Sequence, residues 1–221
     1  NSFGFTWFTL DQRIGYPSVN VNLGMLPSAL GEFDVVVLPS ASAAVIEREL
    51  GEAGKERLAR WVREGGVLIT IDGATGWLAS ERSGLARLRQ KRFESESPGR
   101  PVPVNIPGAI ARTVADPLSP LLAGVREAEL SVPASGSRVL EAPGDAGPGE
   151  VVLRYADEER VRLSGYMWPE GAGRIAGAPF LWTERVGAGR VIAFDGDPNF
   201  RDLWRGLLPI FANAVFLAGS F

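Results

Sequence analysis

The sequence predicts an α/β protein built on an open, mostly parallel β-sheet with helices on both faces. Residues 33–38 and 67–71 are continuous runs rich in β-branched side chains, which is typical of strands buried on both faces. A helical pattern lies between them, and a third run of this kind covers residues 190–194. Strands that alternate with helices form parallel sheets with right-handed crossovers. We therefore expect 35–38, 67–71 and 191–194 to lie side by side and parallel, none of them at an exposed edge.

The helices of the amino-terminal half are indicated by caps and periodicity. Ser2 can cap a helix over residues 3–14 that ends at Gly15. Residues 43–64 are helical because apolar side chains recur at helical spacing before a Gly-Gly stop. Three weaker segments complete this half: a strand at 19–22 and helices at 77–82 and 84–90.

The carboxyl-terminal half is richer in turns and short strands. Residues 93–110 are polar and proline-rich and predict a long surface excursion, and residues 134–150 predict a second loop. Closely spaced strand candidates favour β-hairpins added to the sheet, at residues 138–141, 151–155, 161–164 and 180–186. Residues 202–217 have the apolar periodicity of a helix. We expect one domain over residues 1–221, excised from a longer chain and lacking its first strand.

The composition constrains function through two missing residue types. The chain contains no histidine and no cysteine, which excludes thiolate nucleophiles, Ser-His and Cys-His relays and nearly every zinc site. Carboxylate chemistry, hard-cation binding or a non-catalytic role remain. The net charge of -3 and the lack of a long apolar stretch argue against nucleic acid and membrane partners. We expect no cofactor and no resident metal.

Several segments of the amino-terminal half carry a resemblance to a known superfamily. Residues 34–39 (Asp-Val-Val-Val-Leu-Pro), the helix end at 61–66 (Trp-Val-Arg-Glu-Gly-Gly) and the strand running into 72–76 (Asp-Gly-Ala-Thr-Gly) resemble class I glutamine amidotransferase-like proteins. The resemblance implies a flavodoxin-like fold, a cysteine nucleophile at the sharp strand-to-helix turn, and a histidine and glutamate near the carboxyl terminus. On this chain Ala74 takes the nucleophile's place and the histidine has no counterpart, which implies a degenerate site.

A narrower resemblance lies near the carboxyl terminus. Residues 189–201 (Gly-Arg-Val-Ile-Ala-Phe-Asp-Gly-Asp-Pro-Asn-Phe-Arg), followed by Leu203-Trp204 and Asn213-Ala214, resemble the amidotransferase-like domain appended to bacterial zinc carboxypeptidase-like proteins. This resemblance implies an upstream peptidase domain in the same chain, a parent protein that is a hydrolase, and a secreted or periplasmic location.

Polar residues that follow the predicted parallel strands form the candidate ligand site. Open α/β sheets bind ligands at the carboxyl ends of their strands, where three loops of this chain are expected to converge. The candidates are Ser40, Asp72, Ala74, Thr75, Asp195, Asp197, Asn199, Arg201 and Trp204. Arg201 is the residue suited to hold a peptide carboxylate or another small anionic ligand. Helix capping and loop stabilisation are the simpler roles for the same side chains.

Three functional classes remain open from the sequence. The first is a non-catalytic accessory or binding domain of the zinc carboxypeptidase-like protein. The alternative is a stand-alone carboxylate-dependent hydrolase that uses Asp72 with Asp195 or Asp197 as acid and base. A purely structural role in a homodimer is the third.

Overall fold

The computed structural model describes residues 1–93, 105–144 and 147–221. Its helices are α1 (Ser2–Phe8), which continues as a π-helix (Thr9–Ile14), α2 (Leu26–Ala29), α3 (Ala43–Arg63), α4 (Gly73–Leu78), α5 (Pro169–Ile175) and α6 (Leu208–Phe216). Its strands are β1 (Val35–Leu38), β2 (Val67–Ile71), β3 (Arg89–Gln90), β4 (Ile106–Ala115), β5 (Glu129–Gly136), β6 (Leu140–Glu141), β7 (Gly149–Tyr155), β8 (Arg162–Tyr166), β9 (Pro179–Val186) and β10 (Gly189–Phe194). Short 3-10 turns lie at Leu30–Glu32, Pro120–Leu122, Phe200–Asp202 and Ala218–Ser220.

One open sheet in the order β1-β2-β10-β9-β7-β4-β5 forms the frame, and β8 joins it by pairing with β4. β2 is parallel to β1 on one side and to β10 on the other. From β9 onward, neighbouring strands are antiparallel. The α/β, flavodoxin-like fold class is confirmed, as are the parallel grouping of β1, β2 and β10 and the position of the hairpins outside it.

Helices cover both faces of the parallel strands. On one face, Ile46, Leu58 and Val62 of α3 pack in a cluster with Leu68 and Val191. On the other face, α6 packs in a second cluster. That cluster includes Ile69, Ile192, Phe194, Ile210 and Phe211. Each parallel strand therefore sends alternate side chains into two cores, which accounts for sequences that are apolar without a break.

β1 lies at the end of the sheet, so the expectation that none of the three parallel strands is an edge strand is wrong. The predicted strand at 19–22 is not formed, and no backbone hydrogen bond joins that segment to β1 in the described part of the chain. The Val67 N–H donates to the Asp34 carbonyl at 2.9 Å, which sets the register of the ladder. In that register the N–H and C=O groups of Val35 and Val37 point away from β2.

The remaining differences from the sequence prediction have local causes. β4 begins inside the predicted surface excursion, and residues 94–104 of that excursion lie outside the described residues. The predicted helix at 84–90 is replaced by a loop leading to β3, since Gly84 has a left-handed φ of 60°. α6 starts at Leu208 rather than at 202, with Pro209 in its first turn, where proline is favoured. No helix in the described ranges is long and apolar enough to span a bilayer.

Candidate functional site

The turn between β2 and α4, which we call the elbow, is strained. Asp72 has φ 49° and ψ −110°, a conformation that costs a non-glycine residue about 1–3 kcal/mol. A strained residue on a sharp strand-to-helix turn is the arrangement that presents the nucleophile in α/β hydrolases. The structure therefore places Asp72 at the sharp turn, two residues before Ala74, to which the sequence resemblance assigned the nucleophile's place. Ala74 is fully buried inside α4.

The loop after β1 packs directly on the elbow. The Ser40 hydroxyl donates to Asp72 Oδ2 at 2.7 Å and accepts a hydrogen bond from the Gly73 N–H at 3.2 Å. A Cβ on Gly73 would lie 2.6 Å from the Ala41 carbonyl oxygen, so this approach requires glycine. In a nucleophile elbow, the N–H of the residue after the nucleophile helps to bind the oxyanion. Here that N–H already has a partner within the chain.

Arg138 links the elbow to the end of β10. It lies between β5 and β6, and its Nε donates to Asp195 Oδ1 at 2.8 Å while its NH2 group donates to Asp72 Oδ1 at 2.9 Å. The same NH2 group also contacts the Asp195 carbonyl oxygen. Its side chain is 17% exposed, and Asp72 is 45% exposed. Arg138 thus fills the space between two of the predicted loops, a role that was not predicted from the sequence.

Asp195 is buried and held by two donors. Besides Arg138, the Tyr155 hydroxyl donates to Asp195 Oδ2 at 3.1 Å. Burial raises the pKa of Asp195, although the Arg138 guanidinium opposes that change. Burial and the nearby Asp195 raise the pKa of Tyr155 well above its ordinary value. Burial disfavours the charge of Arg138, but Asp195 and Asp72 outweigh it and raise the pKa of Arg138. The guanidinium therefore stays charged.

Asp197 and Asn199 stabilise the loop after β10. Asp197 Oδ1 accepts the Asn199 N–H at 2.9 Å, and the Asn199 side-chain amide lies 3.5 Å from the Thr6 hydroxyl of α1. Burial raises the pKa of Asp197, while a hydrogen bond from Ser2 opposes that rise. The two side chains therefore tie this loop to the amino-terminal helix.

The side chains of the other candidates are not hydrogen-bonded to Asp72, Arg138 or Asp195. Thr75 is buried, and its hydroxyl donates to the Phe194 carbonyl at 2.7 Å. The exposed Arg201 guanidinium lies 5.2 Å from the Phe200 ring centroid and borders a separate hollow beside α1. Trp204 is half-buried against the α6 core, and its indole N–H has no partner among the described residues. Arg201 therefore lies apart from the loops of Ser40, Asp72 and Asp195, with which it was predicted to converge.

The cluster combines one guanidinium with two carboxylates, a phenol and a serine hydroxyl. It contains no imidazole or thiol to relay a proton at neutral pH. Within the described ranges, no group of three or more carboxylates is arranged to hold a metal ion. The positive charge of Arg138 is compensated by the carboxylates of Asp72 and Asp195.

Several solved structures of other proteins share the fold of this chain. No family model matches the chain, and no curated protein is significantly similar to it. A cytoplasmic protein of Salmonella typhimurium LT2 superposes with a TM-score of 0.64 at 14% identity, covering 99% of this chain and 87% of its own. A ThuA-like protein of Bacteroides uniformis ATCC 8492 gives 0.59 at 15% identity, covering 96% and 80%. A protein described as a glutamine amidotransferase gives 0.59 at 14% identity, covering 99% and 95%.

The chain shares the α/β fold of these proteins, one of which is described as a glutamine amidotransferase and one as ThuA-like. Sequence identities this low show only that the fold is shared, and a shared fold does not establish a shared activity. In this chain the sharp turn after β2 holds Asp72, and the sequence contains neither the cysteine nor the histidine that the sequence resemblance implies for an amidotransferase.

Proposed function

We propose that this chain is a non-catalytic accessory domain of a secreted or periplasmic zinc carboxypeptidase-like protein, with a degenerate amidotransferase-like site. The observation that carries the non-catalytic part is the position of Ser40. Its hydroxyl binds both Asp72 and the Gly73 N–H, so the chain itself occupies the acceptor position that an oxyanion would take.

Arg138 supports the same conclusion from the other side of the elbow. A nucleophilic carboxylate must approach a substrate atom, yet Asp72 Oδ1 is engaged by Arg138 and Oδ2 by Ser40. Arg138 is itself balanced by Asp195, so the cluster has no excess positive charge with which to attract a peptide carboxylate. The accessory role is therefore one of contact with the parent protein rather than of binding an anion at this cluster.

Activity assays on the purified domain test the proposal. Incubation with glutamine and with peptides that have free carboxyl termini is expected to release neither ammonia nor amino acids, with or without a chelator. Turnover that is retained in chelator and lost in Asp72→Asn would replace the proposal with the hydrolase alternative. The strained conformation of Asp72 is the observation that keeps this second candidate in view.

The parent protein is proposed from the sequence resemblance and needs a separate test. We expect the natural gene product to encode a peptidase domain before Asn1, with the histidine and glutamate ligands of a zinc site. An upstream region without such ligands would remove the carboxypeptidase context and leave the non-catalytic proposal standing on Ser40 and Arg138.

A further inference from the structure

The hollow beside α1 is formed by this helix and by the 3-10 turn Phe200–Asp202 that follows β10. Its volume is about 750 Å³. It is lined from α1 by Gly4, Phe5, Trp7 and Phe8, and from the turn by Arg201 and Asp202. The Trp7 and Phe8 side chains are 38% and 37% exposed, which is unusual for rings of this size. The hollow therefore combines an accessible aromatic wall with charged groups.

Side-chain contacts attach the turn to the amino-terminal helices. The Phe5 and Phe200 rings meet edge to face with their centroids 5.6 Å apart, and Arg13 Nε donates to Asp202 Oδ2 at 2.8 Å. Arg13 belongs to the π-helix, an uncommon element that is frequent at functional sites. Its guanidinium also lies 5.6 Å from the centroid of the Phe8 ring. The two walls of the hollow are therefore held together by contacts within the chain.

Arg201 brings a positive charge to the hollow that no carboxylate balances in the described part of the chain. Its guanidinium lies 5.2 Å from the Phe200 ring centroid and forms no ion pair there. The neighbouring Asp202 is already paired with Arg13, and the Arg205 guanidinium lies 4.0 Å from the same carboxylate. Positive charge is therefore in excess around the hollow, which favours the binding of an anion.

The backbone of the turn is strained at two successive residues. Arg201 has a φ of 53° and Asp202 a φ of 57°, in the left-handed region that residues other than glycine rarely adopt. Strain of this kind is concentrated at active sites and ligand sites. Arg13 holds Asp202, whereas the Arg201 side chain contacts only the Phe200 ring. Glycine would adopt this backbone without strain, so stability alone does not account for an arginine at position 201.

We propose that this hollow binds a small organic carboxylate that carries an aromatic ring. The planar guanidinium of Arg201 binds the carboxylate through two parallel hydrogen bonds. The exposed rings of Trp7 and Phe8 receive the aromatic part of the ligand through offset and edge-to-face contacts. A dianion such as phosphate is disfavoured, because the Asp202 carboxylate borders the same hollow. The site is separate from the Asp72–Arg138–Asp195 cluster and does not depend on the proposed accessory role.

Titration with N-acetylphenylalanine, which combines a carboxylate with a phenyl ring, tests the proposal. In ¹H–¹⁵N spectra, the indole N–H signal of Trp7 is expected to shift with a dissociation constant of about 1 mM or lower, as for a ligand of this size. Trp7→Phe identifies that signal among the six tryptophans. N-acetylphenylalaninamide lacks the carboxylate and is expected to bind at least about tenfold more weakly. N-acetylalanine lacks the ring and is expected to bind more weakly as well.

Matched variants test the two walls. Arg201→Gln is expected to weaken binding at least about tenfold, and Arg201→Lys, which keeps the charge without the planar fork, is expected to weaken it less. Gly4 has nothing within 4 Å of an added Cβ, so a longer side chain fits there without displacing the fold. Gly4→Glu adds a negative charge to the hollow and is expected to weaken binding, whereas Gly4→Gln, its neutral counterpart, is expected to weaken it less.

Arg201→Gly separates binding from a structural role. It relieves the strained backbone and removes the guanidinium, so the melting temperature is expected to stay the same or rise while binding weakens as in Arg201→Gln. A fall in melting temperature of more than about 4 °C would instead show that Arg201 stabilises the turn, and would overturn the proposal.

Three results of the titrations would also overturn it. The first is a Trp7 indole signal that does not move up to about 10 mM N-acetylphenylalanine, tenfold above the expected dissociation constant. The second is equal affinity of Arg201→Gln and the unsubstituted protein. The third is displacement of N-acetylphenylalanine by an equal concentration of inorganic phosphate, which would assign Arg201 to a site for simple anions.

Discussion

Arg138 Nε lies 2.8 Å from Asp195 Oδ1, although 57 positions separate the two residues in the sequence. This ion pair joins the loop before β6 to the end of the last parallel strand, and the contact of Arg138 with Asp72 extends it to the elbow. Both partners are largely removed from solvent, with side-chain exposures of 17% and 9%. Removing one member of such a pair leaves a charge that is neither hydrated nor balanced.

Arg138→Met is therefore expected to reduce the free energy of unfolding by about 3–5 kcal/mol, measured by urea denaturation. The matched control is the double variant Arg138→Met with Asp195→Asn, which removes both charges and is expected to recover much of the loss. A single-variant cost below about 1 kcal/mol would place the pair among exposed salt bridges and contradict this account.

Tyr155→Phe removes a hydroxyl donor from the buried Asp195 carboxylate without changing the packing of the ring. Hydrogen bonds to charged groups contribute about 1.5–3 kcal/mol, and a loss of that size in the free energy of unfolding is expected. Tyr166→Phe is the control, since the Tyr166 side chain is 52% exposed and its loss of a hydroxyl should be nearly neutral. Equal effects of the two variants would argue against a role for Tyr155 in holding Asp195.

Asp197 is expected to make stability fall as pH rises. Burial raises its pKa in the folded protein above the ordinary value of 3.8, so the folded state binds the proton more tightly than the unfolded state. The resulting stabilisation is present below pH 3.8 and is lost as pH rises through the folded-state pKa. Asp197→Asn retains an acceptor for the Asn199 N–H and should gain stability relative to the unsubstituted protein between pH 4 and pH 7. Parallel melting curves whose difference does not change with pH would exclude this linkage.

Gly73→Ala is expected to destabilise the elbow by about 1–3 kcal/mol, as overpacking does elsewhere. Its Cβ would lie 2.6 Å from the backbone oxygen of Ala41, which cannot move without displacing the loop that carries Ser40. Gly4→Ala is the matched control, because nothing lies within 4 Å of its Cβ and alanine favours the helix. Thermal melts should place the two variants on opposite sides of the unsubstituted protein.

The three parallel strands were predictable because each is apolar without a break, a pattern typical of short strands that are buried on both faces. β4 and β5 were not predictable, because Pro107, Gly108 and Pro133 interrupt the pattern that would have marked them as strands. The antiparallel half of the sheet depends instead on long-range pairing, such as that of Thr113 with Leu130 and Tyr155, which leaves little local signal.

The candidate site was predictable in part for a similar reason. Asp72 and Asp195 follow buried strands, and the rule for open sheets brings their loops to one edge. Arg138 comes from a segment of glycine, proline and serine whose path is set by tertiary contacts, so no local pattern pointed to it. The strained backbone of Asp72 likewise has no signature in the sequence, since aspartate is ordinary in turns.

Three separate loops meet at the elbow, each contributing one interlocking group: Ser40 after β1, Asp72 after β2 and Arg138 before β6. A replacement of Asp72 by cysteine would leave the Ser40 hydroxyl on the Gly73 N–H and the Arg138 guanidinium over Asp195. A substitution at Ser40 or Arg138 would remove a hydrogen-bond partner of Asp72, and a substitution at Asp72 would remove a partner of both. The elbow is thus a junction at which the conformations of three loops depend on one another.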